Sequence, residues 1–283
     1  MTDRPPELPE IGVRVSLRYL RPPGSEPPMG DVVGHLVQSG PLVRIRSADG
    51  VVHECRHADV LYVRRLTDRP VKNSAIRSVE HAAALACTGD DHLWLDGWLL
   101  RAAPGAGPAA NSAIPLDMFA HVNTVPAIID WYAHRGLPPY LAVPERLLRL
   151  PEDLPVMHET RTLVCDLGPG TAPDGVVVTS DGDVCEASIP GAASGRGAVT
   201  DGSDGTRWLG LTQIEVAAEH RGRGCGRRIC TALRVWGTER GATRAYAQVP
   251  STETGAFAFF EAVGFAGQHR TRYLDARALG WLA

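Results

Sequence analysis

Arg221-Gly222-Arg223-Gly224-Cys225-Gly226 is the stretch that decides how this chain reads. A strand-like run, Trp208 to Val216, precedes it, and a helix-like run ending near Arg240 follows. Alternating glycines at a strand-to-helix turn leave backbone N–H groups bare and aimed at one spot. The helix N-terminus adds partial positive charge there, which suits a phosphate. Arginines in the same turn add more. The segment reads as a pyrophosphate cradle, and the rest of the chain must say which nucleotide it holds.

Two common answers fail on their own requirements. A dinucleotide-binding βαβ unit needs G-x-G-x-x-G early in the chain and an acidic residue about 20 residues further on. Here the turn lies near the C-terminus, and no acid closes the next strand-like run, Arg244–Val249. A P-loop needs a lysine after its last glycine, and the chain's one lysine, Lys72, lies far upstream.

The bulk properties set limits. Of 283 residues, 44% are hydrophobic and 22% charged, a globular balance long enough for one large or two smaller cores. The net charge of −3 makes no demand for nucleic acid or an anionic membrane, so neither partner is expected. The six cysteines are scattered without a C-x-x-C pair. They predict neither a metal site nor a disulfide framework, and a reducing, cytoplasmic location follows. The N-terminal residues are polar and unlike a signal peptide, and no apolar run approaches the roughly 20 residues that span a bilayer.

Residues 1–66 read as a small all-β unit, an SH3-like barrel of about five short strands. Val13, Val15 and Leu17 alternate with polar residues, and Asp49-Gly50 is a hairpin signal. Residues 67–73, with Pro70, read as a linker. Residues 74–167 alternate helix and strand signals: a helix over Ser74–Cys87, strands over Leu93–Arg101 and Ser112–Leu116, a helix over Val125–His134, and strands over Tyr140–Val143 and Thr162–Leu167. Residues 168–283 hold a hairpin signal, Val176–Val178 with Val184–Ala187. A stretch rich in Gly, Ala and Ser follows over 189–206 and predicts a mobile loop, with a lid as one use of it. Then comes β-(RGRGCG)-α-β-α-β, with glycines 241 and 264 closing the helices. The fold class is α/β (α+β), a mixed sheet flanked by helices.

Ile214, Val216 and Arg221 fit the spacing hydrophobic-x-Val-x-x-x-x-Arg. Arg221, Gly224 and Gly226 fit [Q/R]-x-x-G-x-[G/A]. Phe260-Glu261-Ala262-Val263-Gly264-Phe265 fits a downstream block, aromatic-Glu-x-x-Gly-Phe. In this order and spacing the segment resembles the GNAT superfamily of acetyl-CoA-dependent N-acetyltransferases. Trp94–Arg101, Ala110-Asn111-Ser112 and Pro115-Leu116 look like the N-terminal half of an actinobacterial family that pairs an SH3-like domain with a GNAT domain. Its members are described as N-acetylglutamate synthases and as histone-acetyltransferase-like proteins. The helix and strand order of 74–143 is itself GNAT-like, so two GNAT-like halves are an expectation.

The resemblance implies acetyl-CoA as co-substrate. Its pyrophosphate falls to Arg221, Gly222, Arg223, Gly224, Cys225, Gly226 and Arg227, with Cys225 a small apolar filler. Val216 is placed to pair with pantetheine and to offer an N–H to the thioester oxygen. Glu253 stands where many relatives carry an asparagine that contacts pantetheine. Phe260 stands at the usual place of the tyrosine that protonates the leaving thiolate, and Tyr273 or a water is the candidate substitute. Glu215 is the candidate general base, with a charge at the sheet rim as its plainer reading. Asn111, Trp208, Arg270 and Arg272 are candidates for the acceptor, although both arginines read equally as residues of an exposed edge strand. The implied reaction is N-acetylation of a primary amine, either a small amine such as the α-amine of glutamate or an amine on a protein. A non-catalytic acyl-CoA-binding role is the third reading, and a homodimer is one form the chain can take.

Overall fold

The computed structural model describes residues 5–47, 50–66, 71–87, 89, 91–151 and 153–282. They form two compact units, Met1–Pro70 and Val71–Ala283. Most of the expected linker, and Asp49 of the hairpin signal, lie outside the described residues.

The first unit is an antiparallel sheet of β1 (Arg14–Leu20), β2 (Met29–Gln38), β3 (Leu42–Ser47), β4 (Val52–Arg56) and β5 (Val60–Arg65), ordered β4-β3-β2-β1-β5. Alternate residues Val15, Leu17, Val32, Leu36, Val43 and Ile45 bury one face, the period-2 pattern of a half-covered sheet. The expected barrel does not close. Among the described residues β4 and β5 do not pair, and β4 has no buried residue with which to roll over the core.

In the second unit, α1 (Asn73–Ala86) leads into β6 (Asp91–Leu95), β7 (Trp98–Ala102), β8 (Ala113–Pro115), α2 (Val125–Ala133), β9 (Tyr140–Pro144) and β10 (His158–Asp166). Then follow β11 (Val177–Asp181), β12 (Val184–Ile189), β13 (Ala193–Asp201), β14 (Arg207–Val216), α3 (Cys225–Glu239), β15 (Arg244–Pro250), α4 (Thr254–Ala262) and β16 (Ala266–Asp275). All eleven strands join one sheet, β11-β12-β13-β14-β15-β10-β16-β9-β8-β7-β6. Its parallel neighbours are β14/β15 and β8/β9. A helix bridges each pair, α3 in one and α2 in the other. The sheet thus repeats one plan twice, with the final strands exchanged. β10, from 74–167, lies on β15, and β16, from 168–283, lies on β9. The two ranges therefore interleave at the centre of a single sheet.

Two faces are distinct. Ile229 and Leu233 of α3 pack on Leu209, Leu211, Ala245 and Ala247. The strand neighbours Trp208 and Tyr246 point the other way, onto Val79, Ala82 and Ala83 of α1. Two sequence expectations fail here. Leu93–Arg101 is a hairpin, not one strand, because Asp96 and Gly97 both take left-handed φ, +44° and +83°, the geometry of a two-residue I′ turn. The expected loop at 189–206 contains β13, an interior strand. Its composition misleads for a steric reason. A β-carbon at Gly195 would come within 2.6 Å of Ile229 of α3, so small residues here mark a strand on which a helix lies close, not a disordered segment.

Candidate functional site

β14 and β15 are paired from Trp208↔Arg244 to Leu211↔Ala247 and then part. Beyond that point the β14 edge facing β15 has no strand partner among the described residues, and the sheet opens into a V. A bulge shapes this edge. Leu211, Ile214 and Val216 all face the α3 core, although a regular strand would turn 211 and 214 to opposite faces. Gln213, at φ +52°, absorbs the extra step, opposite a register shift between Ser194 and Arg196. The bulge sends Glu215 to the face away from α3. A non-glycine residue held in the left-handed region beside the parting strands is strain of the kind found at functional sites.

The chain then turns through Arg221–Gly226. Gly222 and Gly224 take φ of +74° and +78°, which a β-carbon disfavours. Gly224 is the N-cap of α3, and no side chain caps the helix. The helical ladder opens with Arg228 N–H donating to the Gly224 carbonyl, so the N–H groups of Cys225, Gly226 and Arg227 stay without helical acceptors. Arg221 Nε donates to the Val216 carbonyl at 3.3 Å and Arg227 to the Ala262 carbonyl at 3.1 Å. These bonds tie the turn to β14 and α4, while Arg223 is exposed. Cys225 is buried in the α3 core as a filler.

Together these elements bound a cleft of about 1330 Å³, walled by Ile214 and Val216, by Phe259 and Phe260 of α4, and by the tight Ile189–Ala193 turn. Glu253, exposed at the start of α4, stands at its rim. Bare N–H groups and arginines at one end, and an apolar channel along an unpaired strand edge, fit a long phosphorylated arm rich in amides. A second groove of about 550 Å³ lies on the other face of β11–β14, lined by Asp181, Glu186, Arg196, Gln213 and Glu215 among others. Ser194 and Glu215 line both cavities. The Ile189–Ala193 turn, Ser194 and Gln213 escaped the sequence reading; the Pro-Gly pair at 190–191 was the available signal.

Several expected residues lie elsewhere. Tyr273 cannot replace the missing hydroxyl. It sits on the α1 face with Ala84, Leu99, Ile114 and Ala142, on a strand two places from β15, and burial pushes its phenol up to about 12. Phe260 is buried, with its ring edge-on to Phe259 and Phe265, and among the described residues no tyrosine lines the cleft. Asn111 is consumed locally. Its amide oxygen accepts from Ala103 N–H at 2.7 Å, and its Nδ2 donates to the carbonyls of Ala103 and Ala106. Trp208 is fully buried, with Nε1 donating to Ser78 Oγ at 3.0 Å. Arg270 and Arg272 lie on β16, an interior strand and not an edge, and neither lines the cleft or the groove.

Comparison with known proteins agrees with this architecture. The family model described as "Probable histone acetyltransferase Rv0428c C-terminal" matches residues 73–180 and 171–274, and the model "Rv0428c N-terminal Sm-like domain" matches residues 9–64. The probable histone acetyltransferase Rv0428c of Mycobacterium tuberculosis is 44% identical, over 96% of this chain and 98% of that protein. A GCN5-related N-acetyltransferase from Kribbella flavida superposes with a TM-score of 0.53 at 12% identity, over 72% of this chain and 95% of that one. A putative GNAT-family acetyltransferase from Novosphingobium aromaticivorans gives a TM-score of 0.45 at 17% identity, over 73% and 95%. The model that matches the small N-terminal sheet is described as Sm-like, and nothing in these matches supports glutamate as acceptor. The chain belongs to the family of the probable histone acetyltransferase Rv0428c, built on the GNAT acetyltransferase fold.

Proposed function

We propose that this chain moves the acetyl group of acetyl-CoA to a primary amine carried by a protein. The observation that carries the acceptor is the open groove that meets the cofactor cleft at Ser194 and Glu215. A free amino acid would need its carboxylate met, ideally by an arginine fork, and the groove offers Arg196 against Asp181, Glu186 and Glu215. Its excess of acids favours a cationic acceptor such as a lysine in a basic segment. The name of the Mycobacterium tuberculosis relative points the same way.

In this reading the Arg221–Gly226 turn binds the pyrophosphate through its N–H groups, assisted by Arg221, Arg223 and Arg227. The free edge of β14 near Val216 pairs with the pantetheine arm and offers an N–H to the thioester oxygen. The amine nitrogen attacks the thioester carbon, the C–N bond forms as the C–S bond breaks, coenzyme A leaves as its thiolate, and the second proton that nitrogen sheds on becoming an amide passes to solvent. An acceptor ammonium is mostly protonated at neutral pH, with a pKa of about 10.4 for lysine. Glu215 takes that proton, directly or through a water. Phe260 has no proton to give, so solvent protonates the thiolate, a weak demand for a thiol with a pKa of about 8.5.

Thiol release from acetyl-CoA, measured across basic peptides, polyamines and amino acids, tests the proposal. Turnover with lysine-containing basic peptides and little with free glutamate is expected. The reverse order would move the acceptor to a small amine, and no release with any amine would leave only acyl-CoA binding, the reading that Phe260 and Glu253 favour.

A further inference from the structure

α1 carries a carboxylate into the middle of the sheet. Glu80 is 2% exposed. Its Oε1 accepts from His269 Nε2 at 2.8 Å, from Gln248 Nε2 at 2.9 Å and from Thr162 Oγ1 at 3.1 Å. The other nitrogen of His269 lies 2.9 Å from Gln268 Oε1. Donors from β10, β15 and β16 thus converge on one oxygen. A buried carboxylate costs several kcal/mol before its partners offset it, and an apolar side chain of like volume is often at least as stabilising. Stability therefore does not explain the charge, and what it holds in place becomes the question.

Three of its surroundings, Thr162, His269 and Thr271, are buried, whereas Gln248 is half-buried. Gln248 is also the first residue of β15 beyond the last pair with β14. It stands at the apex of the V on the α1 face, across the sheet from the pyrophosphate turn. An ionised carboxylate can only accept, so the amide end facing Glu80 must be the NH₂. That fixes the other end, the carbonyl Oε1, as an acceptor, and the neighbouring β14 residue at the apex, Thr212, is exposed.

We propose that Gln248 Oε1 receives an N–H of the attacking amine beside the thioester, and that Glu80 is the positioning residue that holds the amide in this orientation. Gln248 takes no proton; it aims the nitrogen. The inference rests on the acetyl-transfer reading above.

The test uses the full chain, acetyl-CoA and a lysine-containing basic peptide. Gln248→Leu keeps the bulk and removes the acceptor. It is expected to lower kcat by about tenfold to a hundredfold, the worth of one hydrogen bond to a charged group, while acetyl-CoA affinity by calorimetry stays within about twofold. Glu80→Gln lets the Gln248 amide turn over. It is expected to lower kcat in the wild-type background and to add nothing in the Gln248→Leu background, because both act through the same oxygen. A merely structural Glu80 would cost the same in both. Should Glu80→Gln not fold, Gln248→Asn carries the test: it retains the amide but withdraws it by one methylene, and its rate should fall between wild type and Gln248→Leu. Wild-type turnover matched within twofold by a folded, acetyl-CoA-binding Gln248→Leu overturns this inference alone. A wild-type chain that acetylates no amine overturns it together with the function on which it rests.

Discussion

In the C-terminal half of the large sheet, the turn after the first parallel strand is Arg221–Gly226; in the N-terminal half the matching stretch is Asp117–Thr124. Both lead from a parallel strand into a bridging helix. In the first, two glycines in left-handed conformation leave the N–H groups at the start of α3 uncapped. In the second, side chains take two backbone donors ahead of the helix, although α2, like α3, has no side-chain cap. Asp117 Oδ1 accepts from Phe119 N–H at 3.0 Å, and His121 Nδ1 accepts from Asn123 N–H at 3.2 Å. Pro126, near the start of α2, has no N–H to give. Asp117 adds a negative charge where the other turn carries arginines. The strands differ as well: four parallel pairs precede the parting of β14 and β15, but β8 and β9 meet at the single pair Ala113↔Leu141. The proposed anion site depends on a turn that leaves its backbone donors free.

Breaking that condition should have the largest effect. Gly224→Asp puts a β-carbon on a left-handed residue and a carboxylate in the cradle, and acetyl-CoA affinity by calorimetry should fall by about a hundredfold or more. Unchanged affinity would refute the cofactor assignment. Titration of the wild type should give one site per chain, and two would show that the N-terminal half also binds. Next in size is the response of the two cores. Leu233 and Ile128 are both fully buried, one on α3 and one on α2. Truncating either to alanine should cost about 3 kcal/mol in chemical denaturation. Only Leu233→Ala should also weaken acetyl-CoA, since only α3 carries the cradle.

The seam between the halves should respond to acid. Burial pushes the Glu80 carboxyl up, but its bonds from His269 and Thr162 outweigh this and hold it below the ordinary 4.5. Its stabilisation is then complete above that value and is lost as pH falls through the lower folded one. Melting temperature should drop more steeply below pH 4.5 in the wild type than in Glu80→Gln. The smallest effect is expected from Phe260→Tyr, which restores a hydroxyl at the cleft. Turnover should rise by about twofold to fivefold at most, because the thiolate already leaves readily; a larger gain would mean that its protonation limits the rate.

The strong local signals were legible. The cradle, the strand before it and the block after it depend on neighbours in sequence, so glycine spacing and hydrophobic period suffice to place them. The failures share a cause in tertiary contact. β13 reads as a loop because α3 lies on it and demands glycine at 195. Trp208 and Asn111 read as polar contacts for an acceptor, but one is core and the other braces its own loop. Tyr273 reads as a spare acid, and the fold puts it on the wrong face. Gln248 and Glu80 carry no motif, and meet only because α1 crosses the exchanged strands.

A strand, a glycine turn and a helix in that order follow from the residues alone, because backbone conformation and N–H accounting over a few residues suffice to place them. The face that Glu215 occupies, the interleaving of the two ranges through β10 and β16, and the side chains that take the N–H groups of Phe119 and Asn123 emerge only in the folded chain. Each of these turns on a bulge, a strand exchange or a side-chain cap, whose partner lies on another element or is chosen only when the chain is folded.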